Sequence, residues 1–486
     1  MAYKHGVYNT EQATSLTVPI QGSAGLQVIF GTAPIHLAKD PAAAVNTPKL
    51  VYSYKEAVEA VGYSDDFENF TLCQSISACF QVFNVAPIIL VNVLDPNKAA
   101  HVTQNQAESC DVVDGVVLYD KKYVLLNTLA VKNGSATLVA GSDYEAAHED
   151  NGSVAITLLS TAAKEASSLT VSSTSLKPSG VTAADIVGGV DASTGKETGL
   201  ELIRQIYPTL GMVPGLILAP GWSHTPTVAA ALQAKTENIN GNFNCSCLLD
   251  IPADSDGAVV YTSVKGAKEA LGASSAHAAA LWPMVAVGEK KYYFSAMFAA
   301  LTAYTDANNA DVPYESPSNK DLRITATVLK DGTTVALDQQ QANDVLNANG
   351  VITAINANGF KSWGNNTAAY PSTTDPKDRW WAVRRFFDWD GNNFIQTYFQ
   401  KVDKPGNKRL IQSIVDSQNI IGNGYVARDY CAGYRVEFRS DENPVTNLLA
   451  GHLTVHTYLA PYIPAEYIEN IREYDVDALE SAIGGE

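Results

Sequence analysis

Leu26-Gln27-Val28-Ile29-Phe30-Gly31-Thr32-Ala33-Pro34 is a short apolar run closed by a glycine and a proline, and it predicts a buried strand ending in a turn. Downstream, Ser53-Tyr54-Lys55-Glu56 sets a hydroxyl three residues ahead of a carboxylate, the pattern of a capping box, and Gly62 supplies a stop. A short helix is therefore expected between them. A second helix should carry Leu72, Ile76, Cys79, Phe80 and Phe83 on one face, and Pro87 to Leu94 reads as a strand that is nearly all apolar. Strand, helix, helix, strand in that order implies an α/β layer with a parallel component.

Between about residues 100 and 182 the character shifts to Val, Thr, Ser and Gly. Strands are expected at Val112 to Tyr119, Lys122 to Leu126, Ala136 to Ala140 and Val154 to Leu158, separated by Asn133-Gly134, Gly141-Ser142-Asp143 and Asn151-Gly152. This predicts a small β-rich domain inserted into the α/β one. The α/β pattern resumes with a helix near Gly199 to Leu210, an apolar strand over Gly215 to Ala219 and a helix after Pro226. Asn244 to Ile251 reads as a further strand and Phe294 to Tyr304 as a buried helix.

Further on, Asn358-Gly359-Phe360-Lys361-Ser362-Trp363-Gly364-Asn365-Asn366-Thr367 brackets two aromatics with glycines. Gly359, Phe360, Trp363, Gly364 and Asn365 are expected to form a structural signature whose Phe and Trp anchor the core of the C-terminal part. Asp375-Pro376, an N-cap with proline at the first helical position, predicts a helix through Trp381, Arg384 and Arg385. A second helix over Lys408 to Ile421 should stop at Gly422, and Gly433 to Arg439 and Gly451 to Leu459 read as strands. The predicted fold is a multidomain α/β chain of mixed α+β character. Its parts are an N-terminal arm at 1–20, a discontinuous α/β core at 21–99 and 183–345, the inserted β-rich domain at 100–182, a C-terminal α+β domain at 346–465 and a second arm at 466–486.

At 486 residues the chain exceeds one ordinary core, and 46% hydrophobic with 17% charged residues is the balance of a globular protein. A formal charge of −18 argues against nucleic acid as a partner, because neutralising phosphates takes a basic surface. The six cysteines are sparse and irregularly spaced, which points to reduced thiols and not a disulfide framework. Met1 to Gly6 opens no apolar signal region, and the most apolar runs, such as Gly215 to Pro220, are too short to span a membrane.

Several stretches imitate chemistry. Gly189 to Thr198 approximates a phosphate loop, but five residues separate its glycines and Glu197 follows Lys196 where a magnesium-binding hydroxyl belongs, so a plain turn is expected. Gly221-Trp222-Ser223-His224-Thr225 approximates a nucleophile elbow with Thr225 in place of the second glycine, which makes a helix-entry turn the better reading over a serine hydrolase. His452 and His456 lie on an expected strand, where four residues span about 13 Å, too far to share an ion. Cys245-Ser246-Cys247 reads as buried inert thiols, and Asp388 to Asn393 lacks the spacing of a calcium loop. No cofactor or metal is expected. One charge feature survives: residues 370–440 hold 11 Lys or Arg against 8 Asp or Glu in a chain of net −18, which suggests an acidic partner on that face.

With these residues in hand, the sequence resembles the contractile tail sheath proteins of bacteriophages and phage-derived bacteriocins. The resemblance is carried by Gly6-Val7-Tyr8 with Val28 to Pro34, Asp185 to Gly189 with Gly199 to Glu201, and Ala219 to Ser223. It continues through Ser316 to Asn319, Gly364-Asn365, Arg384-Arg385, and Asn443-Pro444 through Gly451 to Pro461 and Pro464. It departs at Asn366, where the family pattern has Arg. It implies a non-enzymatic subunit that forms stacked hexameric rings around an inner tube. Such a sheath contracts from a metastable extended state to drive the tube through a cell envelope.

Implied partners are other copies of the chain, the inner tube protein, and baseplate and tail terminator proteins. The implied location is a virion tail or bacteriocin particle, made and assembled in the bacterial cytoplasm, with no membrane insertion of its own. Arms containing Gly6, Val7, Tyr8, Leu16, Val18 and Ile20, and Tyr467, Ile468, Ile471 and Val476, are expected to link subunits. Arg384, Arg385, Lys401, Lys404, Lys408 and Arg409 are expected to face the tube. A virion protein that binds a receptor or glycan through the β-rich insert is the alternative.

Overall fold

A computed structural model describes residues 24–484. Gly6, Val7, Tyr8, Leu16, Val18 and Ile20 lie outside the described residues, and nothing follows for the N-terminal arm they were expected to form. The body is organised on an eight-stranded sheet. From one edge its strands are Lys49–Val51, Ile88–Asn92, Gln27–Gly31, Leu216–Leu218, Ser246–Asp250, Ala278–Leu281, Val351–Asn356 and Phe360–Trp363. The inner strands run parallel to one another, and each edge strand is antiparallel to its neighbour. Gln27–Gly31 is buried at every position, as are Ile88–Asn92 and Ser246–Asp250. Covered on both faces, such strands need uninterrupted apolar sequence, which is what Leu26 to Phe30 and Pro87 to Leu94 supply.

The helices follow local signals. Tyr54–Val61 begins at Ser53, whose hydroxyl accepts from the Glu56 amide at 3.2 Å, while Glu56 returns a bond to the Tyr52 amide at 2.8 Å. Leu72–Ile76 continues as a π-helical segment, Ser77–Phe83, and ends at Asn84 in a left-handed conformation. Phe294–Asn308 is apolar nearly all round and buried over almost its whole length, the pattern of a helix enclosed by core.

Residues 102–176 form a second, wholly antiparallel sheet of seven strands with its own hydrophobic cluster around Val117, Tyr119, Val131, Ile156 and Val171. Its longest strand, Val102–Val113, pairs with Ser168–Leu176. The strand expected over Val112 to Tyr119 is two strands, because Asp114 and Gly115 take φ of 51° and 77° and turn the chain back. Lys122 to Leu126 makes a single bridge, Val124 to Ser175, in place of a strand.

The Asn358 to Thr367 stretch departs from expectation. Asn358 and Gly359, with φ of 55° and 105°, form a hairpin turn, and Phe360–Trp363 closes the large sheet against Val351–Asn356. The sheet therefore continues past residue 346, where the C-terminal part was expected to begin. Phe360 packs half-buried on the main core, and Trp363 is half-buried with its Nε1 donating to Asn343 Oδ1 at 2.7 Å. Apart from Gly364, the buried members are polar: Ser362, Asn365, Asn366 and Thr367.

Asp375 caps only a short helix, Pro376–Arg379, and Trp381–Tyr398 begins separately after an extended Trp380. Lys408–Ala427 runs through Gly422 without stopping. A Cβ at Gly422 would lie 2.0 Å from Tyr434 Cδ1, so this glycine admits a crossing strand and is not a helix stop. That strand, Cys431–Glu437, pairs with His456–Pro461, and Phe386, Trp389, Tyr425, Tyr434 and Val436 form the C-terminal cluster.

Candidate functional site

The direction of chain winding reverses beside Gln27–Gly31, with Ile88–Asn92 on one side and Leu216–Leu218 on the other. In open α/β sheets this reversal opens a ligand crevice outside the carboxyl ends of the strands. Here Thr71 plugs it. A Cβ at Gly31 would lie 2.4 Å from Thr71 Oγ1 and one at Gly221 2.7 Å from Thr71 Cγ2, while the Thr71 amide donates to Thr32 Oγ1 at 3.1 Å.

Beside this plug Ser223 is fully buried. Its hydroxyl donates to Asp250 Oδ2 at 2.7 Å and accepts from the Asp250 amide at 3.1 Å, and Ser295 donates to the same carboxylate at 2.6 Å. Burial raises the Asp250 pKa above the usual carboxylate range. The neighbouring His224 stacks on Tyr293 with ring centroids 5.4 Å apart. Ser223 thus ties two strands' ends to a helix start, and its hydroxyl is occupied by these bonds.

The other imitations also resolve into structure. Gly189–Val190 and Glu197–Thr198 form a hairpin whose turn is closed by Asp191 accepting from the Ser193 and Thr194 amides, both at 2.8 Å. Asp388 to Asn393 lies inside the Trp381–Tyr398 helix and not in a loop. His456 Nδ1 sits 2.8 Å from Glu442 Oε1, and the strand begins at His456, leaving His452 outside it. Cys245 and Cys247 are buried, and burial pushes both thiols up, away from thiolate chemistry.

The basic residues divide. Arg385 is not a surface charge: its guanidinium is 3% exposed, pairs with Asp306 of the Phe294–Asn308 helix, and donates to the Ala24 carbonyl at 2.8 Å. Arg384 bonds Asp388 at 2.9 Å and Asp378 at 3.2 Å, with its side chain 11% exposed. Both were expected to face a tube, and both spend their charge internally, because carboxylates distant or near in sequence close on them. Lys404, Lys408 and Arg409 are exposed and Lys401 half-exposed, on the connection between the two long helices and the start of the second. Phe399 and Val402 are exposed on the same connection.

The tail departs from a defined point. Glu466 accepts from Asn365 Nδ2 at 3.0 Å and lies 3.5 Å from Arg379, so the signature stretch holds the root of the tail. Beyond it Tyr467, Ile468, Ile471 and Val476 are exposed, Ile468 by 87%. The chain ends in a short exposed helix, Val476–Ile483. The described residues leave this apolar surface exposed, which suits it to intermolecular contact. Neither the Glu466 anchor nor the Arg385–Asp306 pair was visible in the sequence, since their members lie 101 and 79 residues apart.

This arrangement of a parallel sheet, an antiparallel insertion and a helical C-terminal part shares its fold with solved contractile sheath structures. The anti-feeding prophage helical sheath in its contracted state aligns with a TM-score of 0.57 at 16% identity, over 98% of this chain and 100% of that one. In sequence, the chain is 28% identical over 473 residues to the tail sheath protein of Burkholderia phage BcepMu, covering 94% of each. It is 28% identical over 288 residues to a putative prophage major tail sheath protein of Pseudomonas aeruginosa strain UCBPP-PA14, covering 58% of this chain and 70% of that one. No protein-family model matches the chain. The resemblance read from the sequence holds: the curated relatives are tail sheath proteins, and the fold is that of contractile sheaths.

Proposed function

We infer that this chain is the structural subunit of a contractile tail sheath. The observation that carries the reading is likeness over nearly the whole chain, 94% of it in sequence and 98% in fold. In this reading, copies polymerise as stacked hexameric rings around an inner tube. The sheath shortens from a metastable extended state and drives the tube through a target envelope. A head-to-tail contact that does not close generates such a tube. Trapping of the extended state is kinetic, so contraction draws on no nucleotide and the subunit is not an enzyme.

Within the subunit, residues 1–20 and 466–486 serve as linking arms. The α/β core extends to about residue 363, which keeps its sheet whole, and the Trp381–Tyr398 and Lys408–Ala427 helices with the following hairpin form the tube-facing part. Lys401, Lys404, Lys408 and Arg409 supply the basic seat. Tube, baseplate and terminator proteins are the partners, in a phage tail or bacteriocin particle assembled in the host cytoplasm. Negative-stain microscopy of the purified chain tests the reading: striated tubes are expected, and persistently monomeric particles overturn it. Deleting residues 1–20 should leave a protein that stays monomeric, whereas tubes from that variant would refute the N-terminal arm.

A further inference from the structure

Asp390 stands near the middle of the Trp381–Tyr398 helix, yet its side chain points into the C-terminal cluster and is 7% exposed. The Tyr434 hydroxyl sits 3.1 Å from one carboxyl oxygen and 3.0 Å from the other, and in turn accepts from Gln418 Nε2 at 2.5 Å. This chain of bonds joins three elements: the Trp381–Tyr398 helix, the Lys408–Ala427 helix and the Cys431–Glu437 strand. The strand lies close on the second helix at Gly422, where no side chain keeps them apart.

The titratable groups around the carboxyl are Tyr398 on its own helix, Tyr425 on the second helix, and Cys431 and Tyr434 on the strand. All four are acids. Arg428, at the end of the second helix, turns away, donating to the Gly424 carbonyl at 3.0 Å and lying 5.3 Å from the Tyr430 ring. Among the described residues no cation pairs with Asp390, in contrast to Asp388, which pairs with Arg384, and Asp306, which pairs with Arg385.

We propose that Asp390 is a proton-operated latch that holds the C-terminal hairpin against the two long helices when neutral and loosens that seat when ionised. A neutral carboxyl shares hydrogens with Tyr434 and needs no counterion. An ionised one has a single phenol hydrogen to lean on in a site closed to water. Burial pushes the Asp390 pKa up to about 7 despite the Tyr434 bond, which sets the latch within the neutral range. The folded value stands above the ordinary carboxylate value, so the closed form keeps a proton that an opened one releases. The contribution is complete below about pH 4, declines as pH rises, and is gone above about 7. Integrated over that window, closure weakens by up to about a thousandfold. The latch rests on the C-terminal fold alone and stands whether or not the chain builds a sheath.

The test uses the full chain and hydrogen exchange read by mass spectrometry, corrected for intrinsic rates, over residues 408–437 at pH 5.5 to 8.5. The wild type is expected to lose protection as pH rises through about 7. Asp390→Asn is expected to flatten that dependence and to be better protected than wild type at the alkaline end. Tyr434→Phe, which keeps the ring and removes the donor, is expected to move the midpoint upward. A pH profile in Asp390→Asn identical to wild type, or an unmoved midpoint in Tyr434→Phe should the Asn variant fail to fold, overturns the proposal.

Discussion

Replacing Arg385 by Met should be among the most damaging single changes in the chain. The guanidinium and the Asp306 carboxylate are 3% and 1% exposed, and the pair bridges the Phe294–Asn308 helix of the large core and the Trp381–Tyr398 helix of the C-terminal part. Met approximates the length of the lost stem, so packing changes little. What changes is that Asp306, whose pKa burial already raises against the pull of Arg385, is left with a charge and no partner. Removing one member of a buried pair costs about 3–5 kcal/mol. With a urea dependence of about 3 kcal/mol per M, the midpoint should fall by roughly 1 M or more.

The cost has a pH signature. Asp306 in the variant binds a proton more readily folded than unfolded, so the loss should shrink at pH 5 and grow towards pH 8. The double variant Arg385→Met with Asp306→Leu should recover most of the loss, since a matched apolar pair is often neutral relative to a buried ion pair. An unchanged midpoint in the single variant, or a double variant as weak as the single, would refute the reasoning. The Ala24 carbonyl also loses its donor, so residues near 24 should exchange faster.

Further outcomes follow from particular contacts. Gly422→Ala should destabilise by about 1–3 kcal/mol despite better helix propensity, because its methyl would strike Tyr434, whereas Gly391→Ala, with open space at its Cβ, should gain up to about 1 kcal/mol in thermal unfolding. His36 packs against Phe70, Tyr123 and His148 at ring distances of 5.9, 5.6 and 5.2 Å, between the core and the inserted sheet. Burial lowers its pKa to about 3, so its contribution is present above pH 6.5 and lost on acidification; His36→Phe should blunt the acid sensitivity of the insert's exchange protection. Reversing Lys404, Lys408 and Arg409 to Glu should weaken co-sedimentation with tube protein, and undiminished co-assembly would argue against a basic seat. Ser223→Ala should cost about 1–3 kcal/mol in stability and abolish no activity, because the hydroxyl's work is to satisfy Asp250.

Elements specified by their own residues were legible. Leu26 to Pro34, the Ser53 cap and the apolar Phe294 helix each carry a complete local signal, and each forms where the pattern put it. Elements specified by partners were not. Val102–Val113 reads VTQNQAESCDVV, a polar run, and becomes the longest strand of the insert because Ser168–Leu176 pairs with it and Asn105 bonds Ser173 and Ser175 across it. Arg384 and Arg385 looked like surface charge because a sequence gives charges without neighbours; Asp306 reaches Arg385 from 79 residues away. Gly422 looked like a helix stop because only the fold brings Tyr434 against it. Tyr467, Ile468, Ile471 and Val476 were named through the family resemblance and not by any apolar pattern of their own, while Glu466, which fixes where the tail starts, was one carboxylate among many.

The inserted sheet joins the body through one pair of adjacent chain crossings, and it also leans on that body through Tyr123, whose hydroxyl donates to Asp66 Oδ2 at 2.7 Å. Val102 and Leu176 are paired across its first ladder, and the Lys177 amide donates to the His101 carbonyl at 2.7 Å, so the chain enters and leaves side by side. Paired residues across such a ladder sit about 5 Å apart. Length can change at the exposed edge strand, Ala136–Thr137, while the contacts that Tyr123, Leu125 and His148 make with the body are kept. For an engineer this is a cargo port. For evolution it is a place where new surface can be tried without refolding the rest.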